Sequence, residues 1–329
     1  MRIAHYCEFE RFIQGGIRES VRQQRTMLEM CDIDYYTTPR TDVDLLHLNL
    51  MGPRSIASAL RARRREVPVV IHTHVTAEDF RNSMRLSNLL SKPLRPYLRH
   101  AYALGDRLVC PSTYTQRVIE DYTDVETRVI SNGVDTAKLE GYESLRHEYL
   151  ERYDLTPPVV FMVGHVFKRK GLPTFVETAQ SMPDLDFVWF GPIERQLKDR
   201  STKRLVDDSP PNCTFTGYIN DIRGAYAVGD IFFFPTHEEN EGMTLLEAMA
   251  TEKAIVVRDI ETFEWLEHGE HCLKTTGRFE QEINRLRDST LRTRLGEAAG
   301  ELSQAYELPE VAKDLEQCYQ EVLTRKNAQ

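Results

Sequence analysis

Residues 231–250 read IFFFPTHEENEGMTLLEAMA. The opening IFFF is a short apolar, aromatic run, the pattern of a strand buried on both faces. From Met243 the spacing changes to that of a helix, with Leu245, Ala248 and Met249 at i, i+3 and i+4. Gly242 sits at the expected helix start. Strand, loop, helix is half of a parallel α/β unit. The loop carries Glu238, Glu239 and Glu241, and Glu247 follows about one turn inside the helix. A helix N-terminus in an α/β protein suits phosphate, yet carboxylates repel phosphate. The ligand must therefore have parts that want each.

The same alternation runs along the chain. RIAHYCEF, IDYYTT, DLLHLNL, VPVVIHTHV, RLVCPS and TRVIS read as strands in the first half. PVVFMVG, DFVWFG, CTFTGY, IFFFP and AIVVRD follow in the second, with helical patterns between. Thr156-Pro157-Pro158 breaks the sequence midway. The expected fold is α/β, with two Rossmann-like domains, residues 1–155 and 156–307, whose parallel sheets face a central cleft. Residues 308–329 read as a last helix. Ligands of such sheets sit outside the carboxyl ends of the strands.

The 329 residues are 41% apolar and 28% charged, enough for two cores, and the net charge is −9. Residues 1–155 hold 22 basic and 22 acidic side chains, residues 156–329 hold 20 and 29. An acidic chain argues against nucleic acid as the main partner. Six scattered cysteines without a CxxC point to a reducing cytoplasm and no structural zinc. MRIAHYCEF opens as a strand with no leader pattern. No apolar run approaches the roughly 18 residues of a membrane span.

Glu239 lies on the loop and Glu247 inside the helix. Between them fall the first-turn amides of Gly242, Met243 and Thr244, which lack partners within a helix. An elongated ligand with hydroxyls at both ends and phosphates between fits that spacing, and a sugar nucleotide is one. Acids there also complement a helix dipole with no ligand at all.

Glu239-x7-Glu247, followed by Ala248-Met249-Ala250, resembles the signature of the retaining GT-B glycosyltransferases of family 4. The resemblance implies that Glu239 contacts the donor hexose and Glu247 the ribose. Glu238 and Glu241 have no counterpart and are expected to be solvated acids. It also implies that the last helix, about 308–329, crosses back to the first domain, which receives the acceptor.

Gly164-His165 and Lys170-Gly171 follow the strand PVVFMV. Lys168-Arg169-Lys170 is a cation cluster suited to a diphosphate leaving group, or a solvated turn. The family has Gly-Arg and then Lys-Gly here, so Lys170 matches, while His165 stands where the arginine would. Arg169 is a candidate replacement. Gly15 and Gly16 after the first strand permit close backbone approach or form a plain turn. In the family this loop faces the donor phosphates.

His72 and His74 end an apolar strand and share one face. They suit a metal pair, with Glu78 and Asp79 as further ligands, or are two structural histidines. By resemblance His74 is the family's histidine near the reacting carbon, and His72 has no role. Asp32-Ile33-Asp34 and Asp42-Val43-Asp44 are read as turn residues, so no metal or other cofactor is required.

HTHVTAEDFRNS (72–83), Ser131-Asn132-Gly133-Val134-Asp135, RKG, FVWFG, EENEG, Arg258-Asp259-Ile260 and Trp265-Leu266 resemble the narrower group that glucosylates diacylglycerol-type lipids. Glu261-Thr262-Phe263-Glu264 replaces the broad family's glycine-rich turn and agrees with that group. Residues 45–65 and 80–105 each carry five basic side chains and no acid. Such runs read as attraction to an anionic membrane surface or as solvated helix faces.

The expectation is a metal-independent hexosyltransferase using UDP-glucose and a glycerolipid acceptor. It would be cytoplasmic, peripherally held at the inner face of the cell membrane. A different lipid-linked or soluble glycan acceptor is the alternative, followed by a metal-dependent hydrolase and a non-catalytic sugar-nucleotide binder.

Overall fold

In the computed structural model all residues are described except Gln14, 81–86, 194–199 and 328–329; of residues 79–80, 87–92, 200 and 327 the backbone alone is described. The chain forms two compact units. The first holds Met1–Phe80, Asn88–Gly133 and Tyr306–Gln329, and the second holds Val134–Ala305.

In the first unit the elements run β1 (Arg2–Tyr6), α1 (Gly16–Met30), β2 (Asp34–Tyr36), β3 (Leu45–Leu48), α2 (Pro53–Arg64), β4 (Val69–His72), α3 (Ala77–Phe80), α4 (Ser87–Tyr102), β5 (Arg107–Cys110), α5 (Thr113–Glu120) and β6 (Thr127–Val129). Their sheet has the order β2-β1-β3-β4-β5-β6 and every pairing is parallel. The period of two sorts each strand between two cores. Ala4, Leu46, Val69, Ile71 and Leu108 face α2 and α4. Ile3, Leu45, Val70 and Val109 face Met27 and Leu28 of α1 and, from the chain's last helix, Leu315, Tyr319 and Val322.

The second unit continues with α6 (Arg146–Tyr153), β7 (Val160–Val163), α7 (Leu172–Ser181), β8 (Phe187–Phe190), α8 (Arg200–Asp207), β9 (Cys213–Gly217), α9 (Arg223–Val228), β10 (Ile231–Phe234), α10 (Met243–Ala250), β11 (Ala254–Arg258), β12 (Leu273–Thr275), α11 (Phe279–Arg285) and α12 (Ser289–Ser303). Helix α13 (Leu308–Asn327) then closes the chain within the first unit. Residues 134–155 belong to the second unit, so the chain passes over after Gly133 and ahead of the proline pair. Arg146 anchors this segment, donating to the Ala227 carbonyl (2.8 Å) and to Asp230 (2.9 Å).

The second sheet has the order β12-β11-β10-β7-β8-β9, again parallel. Strand order reverses between β7 and β10, which pair through Ile231↔Val160 and Phe232↔Phe161. The loops leaving these two strands therefore emerge side by side at a topological switch point, where ligands of such sheets bind.

Candidate active site

The loop after β7 ends in a turn over Lys168–Gly171, with the Gly171 amide donating to the Lys168 carbonyl (2.9 Å). Gly171 has φ 85°, and a Cβ there would stand 2.3 Å from the Pro235 carbonyl oxygen. Only glycine lets the two loops approach this closely. The His237 amide then donates to the Arg169 carbonyl (2.8 Å), lacing the loop after β10 onto the loop after β7.

That lacing brings Glu239 to the cations. Its carboxylate accepts a hydrogen bond from Lys170 Nζ and one from Thr236 Oγ1 (3.0 Å), with Arg169 Nη1 at 3.7 Å. Thr262 Oγ1 donates to the Glu239 carbonyl (2.9 Å). Burial pushes the Glu239 carboxyl up, and the charges of Lys170 and Arg169 more than offset it, so its pKa lies below the ordinary value. Arg169 also donates to the Glu238 carbonyl (2.5 Å), and Lys170 Nζ lies 5.2 Å over the Phe234 ring.

Gly242 caps α10 with φ 98°, and the helix starts at Met243. The first-turn amides, Met243 and Thr244 among them, have no carbonyl inside the helix to accept them. Glu247, one turn on, accepts from the hydroxyl of the buried Tyr226 (2.5 Å). Gly164 has φ 139°, and His165 stacks on Phe167 (centroids 5.4 Å apart). One expectation is overturned. Glu241 is only 4% exposed, so it is no solvated acid. The loop turns inward at Gly242 against Phe234 and Phe263 and carries its neighbour into the interior.

The first unit holds the remaining candidates. Gly15 caps α1 with φ 75°, Gly16 opens that helix, and Gln14 lies outside the described residues. His74 follows β4 and is 7% exposed. It belongs to a row of four buried imidazoles that sequence reading saw only in part. His5 and His47 are register partners on β1 and β3, and His5 and His47 share parity with Ile3 and Leu45. On β4, Val70 and His72 share that parity, and His74 follows just beyond the strand, its amide donating to the His72 carbonyl (3.1 Å). The face covered by α1 and α13 thus turns from apolar to imidazole at the carboxyl ends of three strands. His5 meets His47 edge-on (4.9 Å), and His72 and His74 stack at 4.2 Å and 15°. His5 pairs with Gln24 of α1 (2.8 Å), His47 with Tyr319 of α13 (2.6 Å), and His74 with Asn49 (2.8 Å). Burial pushes all four pKa values down, His5 to about 4, His74 to about 3, His47 and His72 well below the usual value. Glu78, a suggested metal partner of the pair, accepts from the Tyr122 hydroxyl, and the Asp79 side chain is outside the described residues. Among the described residues no three His, Cys, Asp or Glu side chains converge as a metal site.

Comparison with known proteins decides the family. Residues 157–288 match the family described as glycosyl transferases group 1, and residues 35–138 match glycosyltransferase family 4. The chain is 31% identical to the processive diacylglycerol alpha-glucosyltransferase of Acholeplasma laidlawii, across 99% of this chain and all of that one. The chain is a family 4 glycosyltransferase of the GT-B fold. The alpha-monoglucosyldiacylglycerol synthase of Streptococcus pneumoniae is 24% identical over 65% of this chain and 51% of its own length. Among solved structures, Anabaena HepE in complex with UDP and glucose superposes with a TM-score of 0.78 at 16% identity, over 96% of this chain and 98% of that one. Sucrose-phosphate synthase from Thermosynechococcus elongatus gives 0.80 at 16%, over 99% and 100%. At these identities the structural likeness concerns the fold.

Two further residues of this glycosyltransferase's site lie in stretches that the sequence singles out without giving them a role. Thr262 holds the Glu239 backbone from the turn after β11. Arg258 ties the Pro235 carbonyl (3.0 Å) to Thr174 of α7 (2.9 Å). A histidine inside each of the strands RIAHY and LLHL was the available signal for the imidazole row, since a polar ring in a buried strand needs partners.

Proposed function

We propose that this transferase moves glucose from UDP-glucose to a diacylglycerol-type lipid, with retention of configuration and without a metal. The observation that carries the reading is the buried Glu239 carboxylate gripped by Lys170 and Arg169 beside the start of α10. Cations and helix amides suit a diphosphate, and a carboxylate suits sugar hydroxyls. Glu247, oriented by Tyr226, is assigned the ribose hydroxyls. Gly164, His165, Gly15 and Gly16 are assigned to the donor's surroundings by resemblance, and His74 to its reacting carbon. The names of the relatives support the lipid acceptor.

In the proposed reaction the bond from the anomeric carbon to the leaving phosphate oxygen breaks. The acceptor oxygen bonds to the same face of that carbon, and its proton passes to the departing phosphate oxygen. Lys170, Arg169 and the α10 amides stabilise the charge left on the diphosphate. A screen of labelled nucleotide sugars against diacylglycerol and soluble glycans, run with a chelator, tests the reading. Entry of label from none of the sugars into lipid overturns it.

The acceptor's location suggests a protein held at the inner membrane face. Arg61, Arg63 and Arg64 at the end of α2, and Arg65 after it, are exposed, as are Arg95 and Arg99 of α4. Residues 81–86 of the second basic stretch lie outside the described residues, and no described helix is long and apolar enough to cross a membrane. At about 1 kcal/mol per basic residue near an anionic surface, the protein is expected to sediment with anionic vesicles and to be released by salt. Equal sedimentation with neutral vesicles, unaffected by salt, defeats the membrane reading.

A further inference from the structure

The segment after β1 reads Cys7-Glu8-Phe9-Glu10-Arg11-Phe12-Ile13. Phe9 is 54% exposed and Phe12 86%. Among the described side chains they are the only exposed phenylalanines. A lone apolar side chain at a surface is ordinary. Two phenyl rings left in solvent within four residues are not.

The segment is pinned on both sides of Phe9. The Glu8 carboxylate is 3% exposed and accepts from the backbone amides of Arg54 (3.1 Å) and Ser55 (2.7 Å) at the start of α2. Two residues on, Glu10 takes both ends of the Arg25 guanidinium of α1 (2.5 and 2.8 Å). Between these anchors Phe9 adopts φ 63°, a left-handed backbone that bulky side chains rarely take. Its carbonyl accepts from the amides of Phe12 (2.8 Å) and Ile13 (3.2 Å). A turn of this kind brings its first and fourth Cα atoms within about 7 Å, so the two exposed residues are neighbours.

Charge indicates what the rings meet. Arg11 stands between them in the chain, and Arg18 and Arg22 of α1 and Arg54 of α2 belong to the helix starts beside the turn; all four are exposed. The acids there are engaged: Glu8 and Glu10 in the anchors, Glu19 with Arg22 (3.3 Å). Exposed apolar rings among exposed guanidinium groups match a bilayer with anionic headgroups, hydrocarbon for the rings and phosphate for the arginines. We propose that Phe9 and Phe12 insert into the hydrocarbon of an anionic lipid bilayer, with Arg11, Arg18, Arg22 and Arg54 held at its headgroups. The proposal rests on the reading that the protein works at a membrane. It adds to that reading an insertion point, distinct from the basic ends of α2 and α4. Stable anchoring takes two signals, so salt still releases the protein.

The test uses the full chain and vesicles of phosphatidylglycerol and phosphatidylcholine that contain no diacylglycerol. In Phe12→Trp the added emission, taken as the difference from the native protein with its Trp189 and Trp265, is expected to shift to shorter wavelength on binding. The double variant Phe9→Asn, Phe12→Ser removes both rings and keeps a residue that accepts a left-handed backbone at position 9. Its affinity for the vesicles is expected to fall at least about 10-fold, with a melting temperature close to native because both rings are exposed. Unmoved emission on vesicles that carry the protein down overturns the proposal, as does native-like sedimentation of the double variant. A shift that needs added diacylglycerol gives the rings to the acceptor's own chains and overturns it too. So does a lipid-free dimer of the native protein that the double variant loses, which gives them to a second copy. Emission that shifts while the native protein transfers no sugar to lipid upholds the insertion and overturns the proposed function instead.

Discussion

Replacing Lys170 with alanine is expected to lower kcat/KM for hexose transfer by at least about 100-fold, the usual result of removing one preorganised charge-stabilising group. Two effects combine. On the proposed reading the leaving diphosphate loses a stabilising cation, and Glu239 is left buried with Arg169 3.7 Å away. Breaking one side of a buried ion pair costs roughly 3 kcal/mol or more of stability, so the variant should also melt earlier. Without Lys170 the Glu239 carboxyl has less to offset burial, and its pKa should rise.

Glu239→Gln separates these effects. It keeps the shape and retains Lys170, but the amide presents one accepting end where the carboxylate presents two. Transfer is expected to fall by a similar factor with a smaller loss of stability. Initial rates at varied donor concentration, paired with melting curves with and without UDP, distinguish a broken site from a broken fold. A raised melting temperature with UDP shows that the nucleotide still binds the folded variant. Turnover like that of the native protein in both variants would remove the second unit's loop pair from the account.

Mild acid should unfold the first unit. His5, His47, His72 and His74 are buried neutral, and their folded pKa values all lie below the roughly 6.5 of an unfolded histidine. The unfolded chain then takes up these protons first. The four rings' contribution is complete above about pH 6.5 and is lost as pH falls toward the folded values, about 4 for His5 and about 3 for His74. At pH 5 the loss is about 2 kcal/mol for each of His5 and His74, and His47 and His72 act in the same direction, against the roughly 5–15 kcal/mol that holds a domain together. Hydrogen exchange at pH 7 and pH 5 should show protection falling in β1, β3 and β4 before β7 and β10. Protection in those three strands that does not change over this range would mean the rings are not buried as neutral imidazoles.

The parts of the fold that could be read in advance were those where one physical signal acts alone. IFFF, VFMV and FVWF are buried on both faces, so their apolar runs are continuous and their strands plain. LKT, residues 273–275, escaped notice because it is an edge strand with only Leu273 buried, too little pattern to separate from a loop. The unit boundary was misleading for a related reason. Pro157-Pro158 is the loudest break in the sequence, yet residues 134–155 are drawn to the second unit by contacts such as Arg146 to Asp230 that no local pattern reveals.

The site divides in the same way. Glu239, Glu247 and Lys170 belong to spaced motifs, and the loop pair that joins Lys170 to Glu239 follows from the adjacency of β7 and β10. Glu241 lies in the same acidic run but is buried, next to Gly242, whose left-handed backbone packs close to Phe234 and to Phe263, more than twenty residues downstream. The imidazole row needed the strand order: His5 and His47 are far apart in sequence and meet only because β1 pairs with β3. Asn49, Gln24 and Tyr319 then acquire their roles from the rings they serve.

The most direct test of the account follows one carbon. The protein is incubated with UDP-glucose labelled at the anomeric carbon, diacylglycerol in anionic vesicles and a chelator, and the lipid product is read by NMR. The account predicts the label in an α-glycosidic bond to the glycerol oxygen of the lipid, with the configuration of the donor preserved. A β-linked product, or label released only as free glucose, would contradict it.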